Sequence, residues 1–542
     1  MKSRNPEPFL IGSLIAVSCL TPACTMPPPD KVSTAKPPAT PQLFDTGQRL
    51  YTKQCAVCHG VTGAGDGPAA YLLYPKPRDF TQNEFRLVST TTMQATDDDL
   101  FLTITRGMPG SAMPPWETLT PQQRWALVYY VRRLTGVSEP IDPASIIQVP
   151  QETPKTAEGI ARGREIFAQA CASCHGPQGR GDGFQVSQAC APDQPCAPSS
   201  GGMVDNLGYP VRPRDLTAGI FKGSSESRDL YDRIVAGLPG SPMPSYAGAY
   251  TDEQLWDLIH YVQSLVPPGV EERVRLRAQT IRARRIGDDL PLDPSAPAWQ
   301  AATPVEVAVT PLWWRDQRVA RLEVKAMHNR KTLAIHLAWD DPTLDDDLTT
   351  PQAFSDGVAV QISADADPPF FGMGDDQQTV SIWHWKAAWQ ADVTAWRDIE
   401  TTYPHTAVDW YPAQRDYRHG DSFEVSQSKT SSQDPQLMSG WGVDNPLSDP
   451  NRRSAAEEAT AKGLGTLTSR PPAMQRIQAT GLWQDGRWQV VLHRPLAPNE
   501  EDDLRLRPGQ EVRVAFAIWD GHAEDRNGQK SVSIWNSLEL ER

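Results

Sequence analysis

Two stretches of this 542-residue sequence carry the pattern Cys-x-x-Cys-His, at Cys55 to His59 and at Cys171 to His175. Two thiols at this spacing, Cys55 with Cys58 and Cys171 with Cys174, can each form a thioether to one porphyrin vinyl group, and the following histidine then faces the iron. A zinc site would require two more ligands at matching spacing, and a thioredoxin-like redox pair would require a strand-to-helix context. The motifs therefore predict two covalently attached c-type haems, with His59 and His175 as iron ligands.

Both motifs lie in an internal repeat, in which residues 41–136 align with residues 156–266. Each copy continues with Gly-Asp-Gly and Pro-Arg-Asp and ends in an amphipathic segment that starts at a capping box. These boxes run from Thr120 to Gln123 and from Thr251 to Gln254. The repeat predicts two all-α domains, at 41–138 and 155–268. Their pattern resembles two class I cytochrome c domains in tandem.

The repeat also indicates a sixth ligand for each iron. The loop near the end of the first copy contains Met108 and Met113, whereas the second copy has Leu238 and Met243. Because only the second place keeps a methionine in both copies, Met113 and Met243 are predicted to ligate iron, with Met108 as a packing residue. A His/Met ligand pair raises the reduction potential, so both haems are predicted to be high-potential carriers without an open coordination position.

Two further pairs stand outside the ligand sets. Arg78 and Arg214 occupy equivalent Pro-Arg-Asp turns and either pair with haem propionates or make ordinary ion pairs. Cys190 and Cys196 lie in a loop rich in Pro, Ser and Gly. In an oxidising compartment this pair is expected to form a local disulfide rather than a reactive dithiol.

The start of the chain is typical of an export signal. Lys2 and Arg4 precede an apolar stretch that is too short to span a bilayer. Residues 1–24 are predicted to be this signal, either simply cleaved or processed as a lipoprotein with a lipid anchor on Cys19 or Cys24, followed by a Pro-rich linker at 25–40. The mature protein is expected in the periplasm or on the outer face of the cytoplasmic membrane. A net charge of −14 argues against nucleic acid and suits either a basic protein partner or plain solubility.

The second half of the chain changes character after a linker predicted at 269–296. Short runs of β-type residues alternate with turn signals such as Asp485-Gly486, and residues 387–470 are expected to be long polar loops. The pattern predicts an antiparallel, all-β sandwich over 297–542. The predicted strands are 321–326, 332–339, 357–362, 488–492 and 512–519.

Several blocks of this half resemble the haem-binding γ subunits of the ethylbenzene dehydrogenase group, which serve molybdenum enzymes including nitrite oxidoreductase. They include Trp339-Asp340-Asp341, the Gly-Met-Gly around Met373, Trp383-His384-Trp385-Lys386, and the block that ends at Lys530 to Trp535. The resemblance implies one non-covalent b-type haem between a methionine and a lysine. Met373 is the implied methionine, and Lys530 the implied lysine, with Lys386 as the alternative.

Three functions are compatible with these features. In the first, the chain is a multihaem electron-transfer subunit without catalysis of its own, which relays electrons between a periplasmic molybdenum/iron–sulfur oxidoreductase and a cytochrome or quinone-linked partner. In the second, an exported dihaem cytochrome c carries a haem-free sandwich that binds carbohydrate. The third, an independent haem enzyme, lacks an open iron position and a convincing acid/base cluster. The sequence favours the first.

Overall fold

The computed structural model describes residues 35–137, 139–187, 203–287, 289–369, 373–375, 378–395, 397, 402–403, 405, 452–498 and 504–542. Residues 1–34 and 188–202 lie outside this range, and with them the predicted signal, Cys19, Cys24, Cys190 and Cys196. The described chain consists of a helical N-terminal half and a C-terminal half built on one sheet, as predicted. Among the described helices, none is both long and apolar enough to cross a membrane.

The helical half has the same layout twice. In each copy the first and last long helices cross closely, because a glycine stands at the crossing point. A Cβ on Gly47 would come within 2.2 Å of the Ala126 carbonyl oxygen, and one on Gly163 within 2.0 Å of that of Asp257. The helices are α1 (Pro41–Gln54), α2 (Ala56–His59), α3 (Asp97–Arg106), α4 (Pro121–Thr135), α5 (Ala157–Ala170), α6 (Ala172–His175), α7 (Phe184–Ser187), α8 (Ser227–Ala236), α9 (Asp252–Ser264), α10 (Val270–Val274) and α11 (Ala387–Thr394).

Both predicted capping boxes are confirmed, at the starts of α4 and α9. In each box the threonine hydroxyl accepts from the glutamine amide, and the glutamine side chain accepts from the threonine amide. The tryptophan that follows, Trp125 or Trp256, is 2% or 1% exposed. These helices therefore bury the apolar face that the sequence indicated, and one continuous apolar core joins the two helical domains.

The C-terminal half is one continuous sheet, with the order β10-β11-β5-β4-β1-β14-β12-β6-β7-β8-β9 and with β2, β3 and β13 off this path. All five predicted strands are present, as β4, β5, β6, β11 and β12, each longer by one to four residues at its ends. The strands are β1 (Thr280–Arg285), β2 (Val305–Ala308), β3 (Thr310–Pro311), β4 (Arg321–His328), β5 (Thr332–Asp340), β6 (Gly357–Ser363), β7 (Val380–Lys386), β8 (Ala456–Ala461), β9 (Thr468–Ser469), β10 (Gln478–Gln484), β11 (Arg487–Pro495), β12 (Glu511–Trp519), β13 (Ser531–Val532) and β14 (Asn536–Leu540).

The sheet folds back on itself, so that its two halves enclose a tryptophan-rich core. Trp385 of β7 meets Trp488 of β11 at 4.8 Å between ring centroids, and a Cβ on Gly481 of β10 would come within 2.2 Å of the Trp385 ring. Trp339 and Trp383 lie in the same core and are 1% and 0% exposed. This packing produces the sandwich that the sequence predicted.

Two details of the sequence interpretation were wrong. The sheet is not purely antiparallel, because β1 pairs in parallel with both β14 and β4 and joins the two halves. This strand lies inside 269–296, which was expected to be linker. The sequence Thr-Ile-Arg-Ala-Arg-Arg gives little indication of a strand, because only Ile281 and Ala283 face the core and the other side chains are exposed.

The segment 387–470 is also not loop alone. It contains α11, β8 and β9, with its middle outside the described residues. Strand β8 reads Ala-Glu-Glu-Ala-Thr-Ala, which lacks apolar alternation, yet five of its six residues are buried. Its glutamates are tolerated inside because Glu457 pairs with Lys386 and Glu458 pairs with Arg494.

Candidate haem-binding sites

The first Cys-x-x-Cys-His motif lies where α1 ends and α2 begins. Cys55 caps the end of α1, and Cys58 and His59 lie in α2. Neither thiol is in a disulfide. Burial raises the pKa of both thiols to about 12 and lowers the pKa of His59. The Nδ1 atom of His59 lies 3.0 Å from the Arg78 carbonyl oxygen and can donate to it. That contact leaves Nε2 of a neutral imidazole free, which is the form that ligates iron.

The second motif repeats this geometry. Cys171 and Cys174 are also free thiols, and Nδ1 of His175 lies 3.3 Å from the Arg214 carbonyl oxygen. The turn after each histidine is closed by the same backbone bond, from Gly65 to His59 at 2.9 Å and from Gly181 to His175 at 2.8 Å. The donor set of both sites, two free thiols and one oriented neutral imidazole, fits covalent haem c.

The two methionine loops, 107–114 and 237–244, also match. Met113 accepts a backbone bond from Met108 at 3.1 Å, and Met243 accepts one from Leu238 at 3.2 Å. A serine hydroxyl in each loop bonds the carbonyl of the first position and accepts from the methionine amide. One backbone conformation therefore accommodates either Met or Leu at the first position, whereas both loops have methionine at the second. The assignment of Met113 and Met243 as ligands stays a prediction.

In the sheet domain, Met373 stands on a strained backbone, with φ of 47°. Its carbonyl accepts from Gly463 at 3.0 Å, and a Cβ on the following Gly374 would come within 2.7 Å of the Ala461 carbonyl. The loop is thus held against the end of β8. A non-glycine residue kept in such a conformation is often found at functional sites.

Met373 packs on an apolar patch that we call the outer face. This patch is formed by Ala359, Val380, Ile382, Ala459, Ala461, Ala517, Trp519 and Trp535. Its residues on β7 and β12 alternate with the core residues of the same strands, so the patch lies on the side of the sheet turned away from the sandwich core. The space between the layers of the sandwich is filled by tryptophans. A haem held by Met373 would therefore lie on the outer face.

Lys530 lies beside the same patch, with Nζ 4.8 Å from the centroid of the Trp519 ring. Among the described residues it has no ion-pair partner, and desolvation lowers its pKa to about 8. A lysine amine ligates iron only when deprotonated, so this environment suits that role. Lys386 differs, because its Nζ is 2.5 Å from Glu457 and 3.7 Å from the Trp389 centroid. These contacts favour Lys530 over Lys386 as the partner of Met373.

His384, which no sequence motif indicated as a site residue, stacks on Trp519 with 4.5 Å between ring centroids. Burial, followed by the charge of Lys386, lowers its pKa to about 4, so the ring is neutral. The sequence could have indicated this residue, because in the strand block Trp383-His384-Trp385 the histidine points to the face opposite the two core tryptophans. It forms part of the wall of the outer face.

The first helical domain contacts both segments that carry Met373 and Lys530. Lys53 and Gln54, directly before Cys55, contact Asp367 and Pro368 on the approach to the Met373 loop. On the other side, Tyr74 donates its amide to Leu312 at 2.9 Å, and the Leu312 amide donates to the Lys530 carbonyl at 2.9 Å. The Tyr74 ring stacks on Trp313 at 5.1 Å. The first cysteine motif is thus adjacent to the outer face.

Comparison with known proteins identifies the domains. The cytochrome c family model matches residues 44–135 and 160–266, and the ethylbenzene dehydrogenase family model matches residues 296–531. The chain is a tandem cytochrome c fused to an ethylbenzene dehydrogenase-type domain. Cytochrome c domains carry covalent haem, so this fusion is a haem protein with an electron-transfer role.

The relatives of the fusion come from several organisms. A protein of Haloferax mediterranei named "Putative respiratory nitrate reductase heme subunit ORF7" is 26% identical over 46% of this chain and 68% of its own length. The γ subunit of chlorate reductase from Ideonella dechloratans is 25% identical over 40% of this chain and 62% of its own length. A chain in the structure of the reducing HAO-like protein complex of Kuenenia stuttgartiensis is 34% identical over 44% of this chain and 100% of its own, with a TM-score of 0.37.

Proposed function

We propose that this fusion is the γ-type haem subunit of an exported molybdenum oxidoreductase, where it relays electrons between that enzyme and a cytochrome or quinone-linked partner of a respiratory chain. It carries two haem c groups and one haem b in this proposal. The relatives named as haem or γ subunits of nitrate and chlorate reductases support the assignment. The observation that carries it is the outer face, where Met373 and Lys530 flank one apolar patch beside a cytochrome c domain.

A haem on the outer face would exchange single electrons while its iron alternates between ferric and ferrous states. Met373 would offer a thioether, Lys530 an amine whose pKa desolvation lowers, and Trp519 and Trp535 an apolar surface. With both ligands bound, the iron would have no position left for a substrate. The site therefore suits electron transfer better than binding of a substrate to iron.

The contacts of the first cytochrome domain suggest the order of the relay. That domain meets the approach to Met373 through Lys53 and Gln54, and it meets the Lys530 segment through Tyr74. Among the described residues, the second cytochrome domain meets the sheet domain through Arg214, whose guanidinium lies 4.4 Å from the Trp314 ring, and it makes no hydrogen bond or ion pair with Met373 or Lys530. Electrons would therefore pass between haem b and the second haem c by way of the first.

A kinetic experiment tests this order. The pair Cys55→Ser and Cys58→Ser, which removes the first haem c, should slow electron exchange between haem b and the second haem c by orders of magnitude. The matched pair Cys171→Ser and Cys174→Ser should leave exchange between haem b and the first haem c unchanged. Flash reduction followed at haem-specific wavelengths measures both rates. Fast exchange in the first variant would contradict the order.

The proposed partner is tested by purification of the tagged chain from its native host. Catalytic and iron–sulfur subunits should co-purify in fixed stoichiometry, together with molybdenum. Recovery of the chain from the exported fraction would support the proposed signal at 1–24, and mass spectrometry of the N-terminus would distinguish a lipid on Cys19 or Cys24 from simple cleavage. Purification of the fully haem-loaded chain alone, without molybdenum, would contradict the subunit role.

A further inference from the structure

Arginines cross the interface between the two cytochrome domains in both directions. Arg86 of the first domain donates to the Pro239 carbonyl at 2.9 Å, within the loop that carries Met243. Arg214 of the second domain donates to the Gly110 carbonyl at 3.2 Å, within the loop that carries Met113. Each domain therefore holds the methionine loop of the other, and the two loops approach the same interface.

Four cationic side chains, Arg78, Arg86, Arg214 and Lys222, gather at this interface, and we call them the inter-domain cation cluster. Desolvation, followed by repulsion from Arg214, Arg86 and Arg78, lowers the pKa of Lys222 to about 7. The three arginines therefore lie close enough to Lys222 for their charges to act on it. Asp205 is 3.0 Å from Arg86, and the carboxylates of Asp79, Glu84 and Asp316 also act on these cations.

Two members of the cluster, Lys222 and Arg214, have donor groups without a hydrogen-bond partner among the described residues. Lys222 has no hydrogen bond or ion pair in the part of the chain that the structure describes, and the Nε and Nη1 atoms of Arg214 are buried without a partner there. The remaining contacts of the Arg214 guanidinium are the Gly110 carbonyl and the face of Trp314 at 4.4 Å. Burying cations without counter-charges costs several kcal/mol each, on the order of the cost of an unpaired buried ion. The unpartnered donors of Arg214 and Lys222 therefore favour a bound anion at this interface.

Haem propionates have the right chemistry and position for this role. Each c-type haem carries two carboxylates on one edge, and guanidinium groups bind carboxylates by paired hydrogen bonds. Arg78 and Arg214 are the residues whose carbonyls orient His59 and His175, so one member of the cluster stands beside each haem site. The cation cluster is thus adjacent to both haem sites at once.

We propose that the inter-domain cation cluster is a carboxylate site shared by both c-type haems, which present their propionate edges to each other there. The proposal rests on the proposed function only in requiring both haems c. In the simpler arrangement, the arginine of each domain would bind only the propionates of that domain's own haem. In the shared site, Lys222 and Asp205 of the second domain act on both irons. Each charge in the cluster tunes both reduction potentials together.

Potentiometric titration of the full-length, haem-loaded chain tests the proposal. Lys222→Gln removes a positive charge beside the propionates and should lower the potentials of both haems c, because ferric iron with its extra positive charge is then relatively stabilised. Asp205→Asn removes a negative charge and should raise both. Lys222→Arg retains the charge and should retain both potentials. Lys155→Gln makes the same chemical change at an exposed position of the second domain and should shift neither.

The potentials should change in opposite directions in Lys222→Gln and Asp205→Asn if the effect is electrostatic. Misfolding would change the potentials of both variants in the same direction. A shift confined to one haem, or no shift in either variant, would overturn the shared site. Dependence of the wild-type potentials on added inorganic phosphate would also overturn it, since the cluster would then bind an external anion. A chain that lacks one covalent haem would instead contradict the proposed function, which haem staining of the denatured protein detects independently.

Discussion

A backbone carbonyl holds each haem histidine in place. The Arg78 and Arg214 carbonyls accept from His59 and His175, a role that neither arginine side chain reveals. The cysteines and histidines could be proposed from the sequence because haem attachment requires those residue types at fixed spacing, and the methionines because the repeat keeps one place; their roles as iron ligands stay predictions. It could not predict the carbonyl acceptors, since every residue type has a carbonyl and only the fold decides where it points.

The methionine ligands are tested by single substitutions. Met113→Ala and Met243→Ala should each remove part of the sulfur-to-iron charge-transfer band of the oxidised protein and lower the potential of one haem, because the thioether favours ferrous iron. Visible spectra and potentiometry measure both effects. Met108→Ala is the matched control and should change neither. An effect of Met108→Ala without one of Met113→Ala would show that the wrong methionine was chosen.

The ligands of haem b are tested in the same way. Met373→Ala and Lys530→Ala should each convert a low-spin iron to one that binds carbon monoxide or imidazole, because each removes one axial ligand. Lys386→Ala is the control, since its ammonium is engaged by Glu457 and Trp389. Spectra of the reduced protein under carbon monoxide measure the change. Carbon monoxide binding after Lys386→Ala alone would transfer the role to that lysine.

Among the elements, β8 shows most clearly what sequence pattern misses. The sequence pattern predicts a loop here because Glu457 and Glu458 interrupt the apolar residues, yet both glutamates are buried. Their partners, Lys386 and Arg494, lie 71 and 36 residues away. A period-2 pattern detects a strand only when polar side chains face water, so a strand with paired charges inside escapes it.

The pair Glu458 with Arg494 should be important for the stability of the sheet domain. Both side chains are 1% exposed, and Glu458 also accepts from the Arg476 amide at 3.0 Å. Glu458→Gln removes the buried carboxylate charge that faces the Arg494 guanidinium, which should cost about 3–5 kcal/mol. Glu306→Gln breaks the exposed pair with Arg321 and should cost about 0–1 kcal/mol. Urea unfolding measures both, and equal losses would contradict the difference in burial.

The connections between strands hold a buried acidic group, where Asp341, Asp356 and Asp520 bring carboxylate oxygens within 4.8 Å of one another. Burial, followed by the charge of Asp341, raises the pKa of Asp356 to about 7. The folded chain then binds a proton that the unfolded chain releases near its ordinary pKa of about 3.9. The free energy of unfolding should therefore fall as pH rises from about 4 to 7.

Asp356→Asn removes the titrating group, so the free energy of unfolding of this variant should fall less steeply with pH. The difference in slope should be at most that of about one bound proton. Unfolding is measured by denaturant titration at several pH values, in buffer that contains a chelator of divalent cations. Asp289→Asn, at an exposed position, serves as the control and should leave the slope unchanged. A variant with the wild-type slope would show that Asp356 is not the group that titrates.

At the scale of the whole molecule, the arrangement of the three domains carries the functional argument. The repeat predicted two like domains, and the β pattern predicted a sandwich, since both follow from local periodicity. Neither indicated that Arg86 and Arg214 would cross between the cytochrome domains, or that Tyr74 would meet Trp313. Contacts between domains depend on surfaces assembled from distant segments, for which one sequence has no local signal.

The outer face illustrates the same limit for haem b. The family blocks indicated Met373 and Lys530, which are 157 positions apart, but not the side of the sheet that they share. In the structure Met373 packs on the outer face and Lys530 lies beside Trp519 of the same face, which adjoins the first cytochrome domain. The proposed relay depends on this placement, because the core tryptophans would separate a haem inside the sandwich from the first cytochrome domain.

The most direct measurement is the haem content of the full-length chain. Acidified organic solvent extracts non-covalent haem b and leaves covalent haem c on the polypeptide, so haem quantified in the two fractions separates them. We predict two haems per chain in the protein fraction and one in the solvent, with the extracted haem lost from the double variant Met373→Ala, Lys530→Ala. Two covalent haems with none extracted from the fully folded wild-type chain would contradict the haem-subunit role of the sheet domain.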